Sequence, residues 1–176
     1  MKHIATVALM LNLGVASVYA QEKPVKMELS GTAYNDGYSL AGNGTLGPFT
    51  LRAVSTGAAA PQQSSTCPSP KLYIPTIAGG GVFRFRDGSL LKVHLTEGSD
   101  CIDLAAQEAL CIRTFQVTGG TGRFEDASGG TVTLTETVVP VLADASNHPV
   151  FFAVTGELTG TVSGVDKGEE GQEERQ

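Results

Sequence analysis

Val117-Thr118-Gly119-Gly120-Thr121-Gly122-Arg123-Phe124-Glu125 admits two folds, and the choice between them sets the class of the protein. Taken alone, its glycines look like the turn of a dinucleotide-binding enzyme, where backbone N–H groups approach a pyrophosphate at the start of a helix. Three features oppose that reading. Glu125 places a negative charge at the position of the third glycine. Gly129 to Val139 alternates with period two and opens no helix. Only 54 residues follow Gly122, too few to complete a doubly wound sheet. The run reads instead as a tight turn between two long strands, with Gly119, Gly120 and Gly122 supplying backbone freedom and Phe124 an apolar plug. No cofactor is predicted.

Outward from this turn the pattern stays one of strands. Val132, Leu134 and Val138 share a face with Glu136, while Thr131, Thr133, Thr135 and Thr137 form a row on the other. Phe152, Val154, Leu158 and Val162 do the same in the last strand. Upstream, Phe83 and Phe85 alternate with charged residues, and Leu91, Val93 and Leu95 follow after Asp87-Gly88. A two-residue loop would set Phe85 opposite Leu90. A three-residue loop, Arg86-Asp87-Gly88 with Gly88 left-handed, sets Phe83 opposite Leu91 and keeps the apolar face intact. That leaves Arg84, Lys92 and His94 on the other face, read as a solvated surface in preference to an anion site. Met27, Leu29 and Ala33, then Phe49, Leu51 and Ala53, mark earlier strands. Thr56 to Pro70 has the composition of a long surface loop. The total is about eight strands, the spacing of an all-β sandwich or barrel.

Read more widely, Phe115-x-Val117-Thr118-Gly119-Gly120-Thr121-Gly122-x-Phe124-Glu125, an alternating strand ending in Val139-Pro140, and a last strand from Phe151 resemble the allene oxide cyclase barrel family. The related dirigent proteins carry a similar turn. Gly44-Thr45-Leu46-Gly47-Pro48-Phe49-Thr50 is similar to the opening of an early strand in the cyclases. The resemblance covers roughly residues 44–55 and 110–160. It implies a single eight-stranded antiparallel barrel, often a trimer, with an apolar cavity for a small ligand. The family's activity transfers less readily. Its plant cyclases use an acidic residue, an amide and a proline near the first strands, and no local motif aligns Glu28 or Asn35 with them.

Parity alone singles out one further pair. Arg113 keeps company with Phe115 and Val117, and Glu136 with Leu134 and Val138, so both charges are expected inside, paired, as candidate ligand-binding residues. Three cysteines predict one disulfide and one thiol. A hairpin looped at Ala105-Ala106-Gln107 would set Cys101 against Cys111, the preferred pairing, with Cys67 as the alternative partner. Their spacing matches no zinc pattern, and no metal site is predicted.

The ends of the chain indicate where it works. Residues 1–20 carry Lys2, an apolar stretch from Ile4 to Val18, and Val18-Tyr19-Ala20, the pattern of a cleavable signal peptide. This predicts a secreted or periplasmic protein, with residues 21–164 forming the barrel domain. The stretch 165–176 holds five acids against Lys167 and Arg175 and is expected to be a disordered acidic tail. No later segment has the apolar length to span a membrane as a helix. With 12 Lys and Arg against 18 Asp and Glu, a nucleic-acid partner is not expected either. The function implied is an exported barrel that binds a small apolar ligand or assembles with copies of itself without catalysis. The alternative is a cyclase, isomerase or dirigent-like activity on a lipid or phenolic intermediate.

Overall fold

A computed structural model describes residues 22–34, 37–57 and 60–165. The expected signal peptide, the turn residues Asn35 and Asp36, and nearly all of the expected acidic tail lie outside the described residues. Eight strands follow one another in chain order: β1 Glu22–Tyr34, β2 Gly37–Gly44, β3 Phe49–Gly57, β4 Leu72–Phe85, β5 Leu90–Asp103, β6 Glu108–Thr121, β7 Thr131–Ala143 and β8 Pro149–Ser163. Each pairs antiparallel with the next, and β1 pairs with β8 to close a barrel. The protein is therefore an all-β, eight-stranded antiparallel barrel, and closure leaves no unpaired edge among these strands.

Alternation decides which residues fill it. Met27, Leu29, Leu40, Leu51, Phe83, Leu91, Val93, Phe115, Val132, Leu134, Val154, Leu158 and Val162 form one continuous buried core. In the β4–β5 hairpin, Phe83 pairs with Leu91 across a three-residue turn. The Phe85 N–H donates to Ser89 O at 2.9 Å and Gly88 adopts φ +86°. Phe83 is fully buried and Arg84 is exposed, as the apolar pattern requires.

The two ends of the barrel differ. At one end, the connections β2–β3, β4–β5 and β6–β7 meet over a stack of aromatic rings. Phe85 lies 4.7 Å from Phe124 and 6.2 Å from Phe49, and Phe49 lies 5.5 Å from Phe83. The glycine run builds this lid as a short 3-10 turn over Gly122–Phe124 that drops Phe124 into the barrel, fully buried. Gly122 sits at φ +60°, and a Cβ on Gly120 would stand 2.6 Å from Phe124 Cβ, so both positions need glycine. Arg123 caps the stack from outside, its guanidinium 4.7 Å from the ring centres of both Phe85 and Phe124. The other end, where β1–β2, β3–β4, β5–β6 and β7–β8 connect, carries no such plug among the described residues.

The disulfide preference is corrected here. Cys67 bonds Cys101, and Cys111 is a buried free thiol. The β5–β6 turn contains four residues, Leu104 to Gln107, not three. Asp103 Oδ1 accepts from the N–H groups of Ala105 and Ala106, both at 3.0 Å, and Gln107 takes φ +55°. Cys101 consequently pairs with Leu110 and Cys111 with Asp100. The extra residue sends the two cysteines to opposite faces, where no disulfide can join them. Cys101 instead faces the segment after β3 and fastens it to the barrel through Cys67.

Candidate functional site

The unplugged end holds a polar cluster in a mainly apolar interior. Asp100, Cys111 and Glu136 lie side by side on β5, β6 and β7, in one cross-strand row. Arg113 stands two residues deeper on β6 and turns back between the carboxylates. Its Nη1 donates to Glu136 Oε1 at 2.7 Å and its Nη2 to Asp100 Oδ1 at 2.8 Å. The Tyr38 ring lies 4.9 Å from the guanidinium, with its hydroxyl 3.4 Å from Ser55 Oγ. Space for the arginine stem comes from Gly98, its cross-strand neighbour, where a Cβ would stand 3.3 Å from Arg113 Cγ.

Asp100 reaches the interior through a bulge. Leu91, Val93 and Leu95 point inward, and continued alternation would bring Glu97, Ser99 and Cys101 in after them. Between Leu95 and Glu97 the β5–β6 register slips by one residue, and Thr96 Oγ1 ties the irregularity to Thr114 O at 3.1 Å. Beyond it Gly98 and Asp100 face inward and Cys101 outward. This one irregularity creates the second carboxylate of the site and presents Cys101 to Cys67. Sequence reasoning missed Asp100 and Tyr38. The signal available was Gly98, a glycine inside a strand, which often marks a bulge.

Electrostatics divide the cluster into fixed and titratable members. Burial pushes the Glu136 carboxyl up to about 7; Arg113 opposes the shift and Asp100 reinforces it. One guanidinium shared by two carboxylates cannot hold both as cheaply ionised as one. Burial disfavours the Arg113 charge, but the neighbouring carboxyl groups of Asp100 and Glu136 outweigh it and keep the guanidinium protonated. Burial and the nearby Asp100 raise the Cys111 thiol well above its ordinary range, which suits a packed side chain and not a nucleophile. Burial likewise raises the Tyr38 phenol, leaving it a hydrogen-bond donor. With Glu136 protonated, the cluster carries no net charge. Two of its buried atoms, Glu136 Oε2 and Arg113 Nε, have no hydrogen-bond partner among the described residues.

A cavity of about 150 Å³ opens onto Tyr38, Asp100, Cys111 and Arg113. Its walls at Ile102, Ala109, Val138 and Phe152 also line an apolar groove of about 320 Å³ on the rim, bounded further by Leu104 and Pro140. Groove and cavity adjoin at these four walls, apolar outside and polar at the base, and are together called the passage below. A larger hollow of about 760 Å³ lies over β1 and β2, but Lys26, Glu28, Asn43 and Thr45 line it in open solvent, and it adjoins none of these groups. Glu28 is exposed on the outer wall, away from the interior. Gly119, Gly120, Gly122 and Phe124 build the plugged end and take no part in the passage.

Comparison with protein-family models, with curated proteins and with solved structures finds no match.

Proposed function

We propose that the chain is an exported barrel of the allene oxide cyclase and dirigent-like type that binds a small apolar ligand, without catalysis, through its unplugged end. The observation that carries this reading is the passage from the apolar rim groove to the buried Asp100–Arg113–Glu136–Tyr38 cluster. An apolar body suits the groove formed by Ile102, Leu104, Val138, Pro140 and Phe152. A neutral polar group such as a hydroxyl or carbonyl suits the base, because Arg113 already has two carboxylate partners and offers no spare charge to an anion. Export is supported by the form of residues 1–20 and by the Cys67–Cys101 disulfide. Charged residues stud the outer wall, among them Lys26, Glu28, Arg52, Lys92 and Glu157, while the interior is apolar. That is the reverse of a barrel that faces lipid.

Glu136, with its carboxyl near 7, favours a second reading as a cyclase or isomerase, since such a group can give and take a proton at neutral pH. It lies wholly buried beside Arg113, however, and the cavity wall is formed by Arg113, Asp100 and Tyr38, which favours binding. Self-association is supported separately by Leu110, Ile112, Val139, Val141 and Leu142, exposed aliphatic residues of β6 and β7. Native mass spectrometry of protein purified from the exported fraction tests these readings together. Binding predicts a retained apolar mass that disappears when Val138→Trp fills the passage. An unliganded mass, with no uptake of an added apolar fluorophore, would overturn it.

A further inference from the structure

The strands β3 to β5 turn an unusual outer face to solvent for a chain with net charge −6. Arg52, Val82 and Lys92 lie in one cross-strand row, and Arg84 lies in the next between Thr50 and Leu90. Arg86 follows in the β4–β5 turn, its N–H donating to Pro48 O at 3.2 Å. Arg52, Arg84, Arg86 and Lys92 are all exposed. Among the described residues none of the four has an acidic partner within ion-pair distance. The nearest acid along the chain, Asp87, is directed to Arg123 at 3.2 Å. A hollow of about 390 Å³ between Pro48, Thr50, Arg84 and Arg86 gives this face some relief at the plugged end of the barrel. Like charges gathered without counter-charges repel one another, so an anionic occupant would relieve a standing cost.

We propose that this face is the docking site of the chain's own acidic C-terminal segment, residues 166–176. Charge and geometry both point to that occupant. The segment contains Asp166, Glu169, Glu170, Glu173 and Glu174 against Lys167 and Arg175. It departs from the same end of the barrel that carries Arg84 and Arg86. The Ser163 N–H donates to Gly129 O at 3.0 Å, and Val165 packs against the core. From β8 to β4 is half the ring, four strand spacings of about 4.8 Å each at the backbone. Eleven extended residues reach roughly 35–40 Å, enough to cross the plugged end or follow the rim and lay the glutamates along the cation rows.

Zero-length carbodiimide coupling of the full chain, mapped by mass spectrometry, tests this. The expected result is Lys92 joined to Glu169, Glu170, Glu173 or Glu174 within one chain. The yield should fall at least tenfold in about 1 M salt, where screening acts over roughly 3 Å. It should fall as far in a variant carrying Arg52→Gln, Arg84→Gln and Arg86→Gln, which leaves Lys92 in place. The Lys71–Asp103 pair at 3.3 Å serves as the internal standard for coupling at low salt. Three results would overturn the proposal. One is coupling of that pair with none at Lys92. Another is tail coupling to Lys23 and Lys26 as efficient as to Lys92. The third is linkage only between light and heavy isotope-labelled copies.

Discussion

Each end of the barrel spends one arginine, and the two are used in opposite ways. Arg123 lies outside the aromatic plug, spread over Phe85 and Phe124, with Asp87 beside it and its Nη2 on Leu46 O. Arg113 lies inside, held by Glu136 and Asp100. The outer arginine stays partly exposed and covers apolar surface with its flat cation. The inner one has given up water and depends on carboxylates to replace it. A barrel end built on the first plan is a closed piece of core. One built on the second carries a standing electrostatic debt, which is tolerable in a site and unnecessary in a plug.

The contrast can be broken most directly at Phe124. Phe124→Ala leaves a void under the turn and is expected to destabilise the protein by about 3–5 kcal/mol in chemical denaturation. A loss under about 1 kcal/mol would mean that the aromatic stack does not close that end. Glu136→Ala is expected to cost about 3 kcal/mol, near the lower limit for breaking a buried pair, because Asp100 still holds Arg113. The double variant should sum the two single losses to within about 0.5 kcal/mol, since the two residues share no partner. A larger discrepancy would show that the ends communicate.

pH sharpens the same contrast. The folded Glu136 carboxyl titrates near 7 and its unfolded counterpart near 4.5. Between those values the folded state binds the extra proton, so stability falls as pH rises. The contribution is complete below the lower value and gone above the upper, at most ~3 kcal/mol at about 1.4 kcal/mol per pH unit. Denaturation at pH 5 and pH 8 should show the protein more stable at the lower pH, and Glu136→Gln should flatten the difference. The smallest effect belongs to Arg123→Ala. About 1 kcal/mol is expected from the lost cation–ring contact, with the pH dependence unchanged. A pH profile that moved with Arg123 would contradict the separation of the two ends.

How much of this was legible follows from where the strands keep their period. In β6 and β7 alternation runs unbroken past Arg113 and Glu136, so their meeting is readable from parity against Phe115 and Leu134. The turn at Gly119 to Phe124 was readable because a strand follows it. In β5 the period breaks at Thr96, so the parity of Leu91, Val93 and Leu95 does not extend to the residues beyond it. Alternation carried past Thr96 would turn Asp100 outward, and the β5–β6 turn, one residue longer than read, separately parts Cys101 from Cys111. Tyr38 was hidden for another reason. It is a lone aromatic in a short glycine-rich strand, where Leu40 alone marks the inward face. The passage itself is lined by seven of the strands and cannot be read from any one of them.

The bond between Cys67 and Cys101 also gives the molecule a mechanical property. It closes a covalent ring around β4 and most of β5, spanning a sequence separation of 34 residues. A force applied to the two ends of the chain passes through that ring at the sulfurs and leaves the strands within it unloaded. Stretched to its limit, the oxidised chain is shorter than the reduced one by the length of that segment, roughly 110–120 Å at 3.3–3.6 Å per residue. A single molecule pulled first without reductant and then with it should reveal this hidden length as one added step.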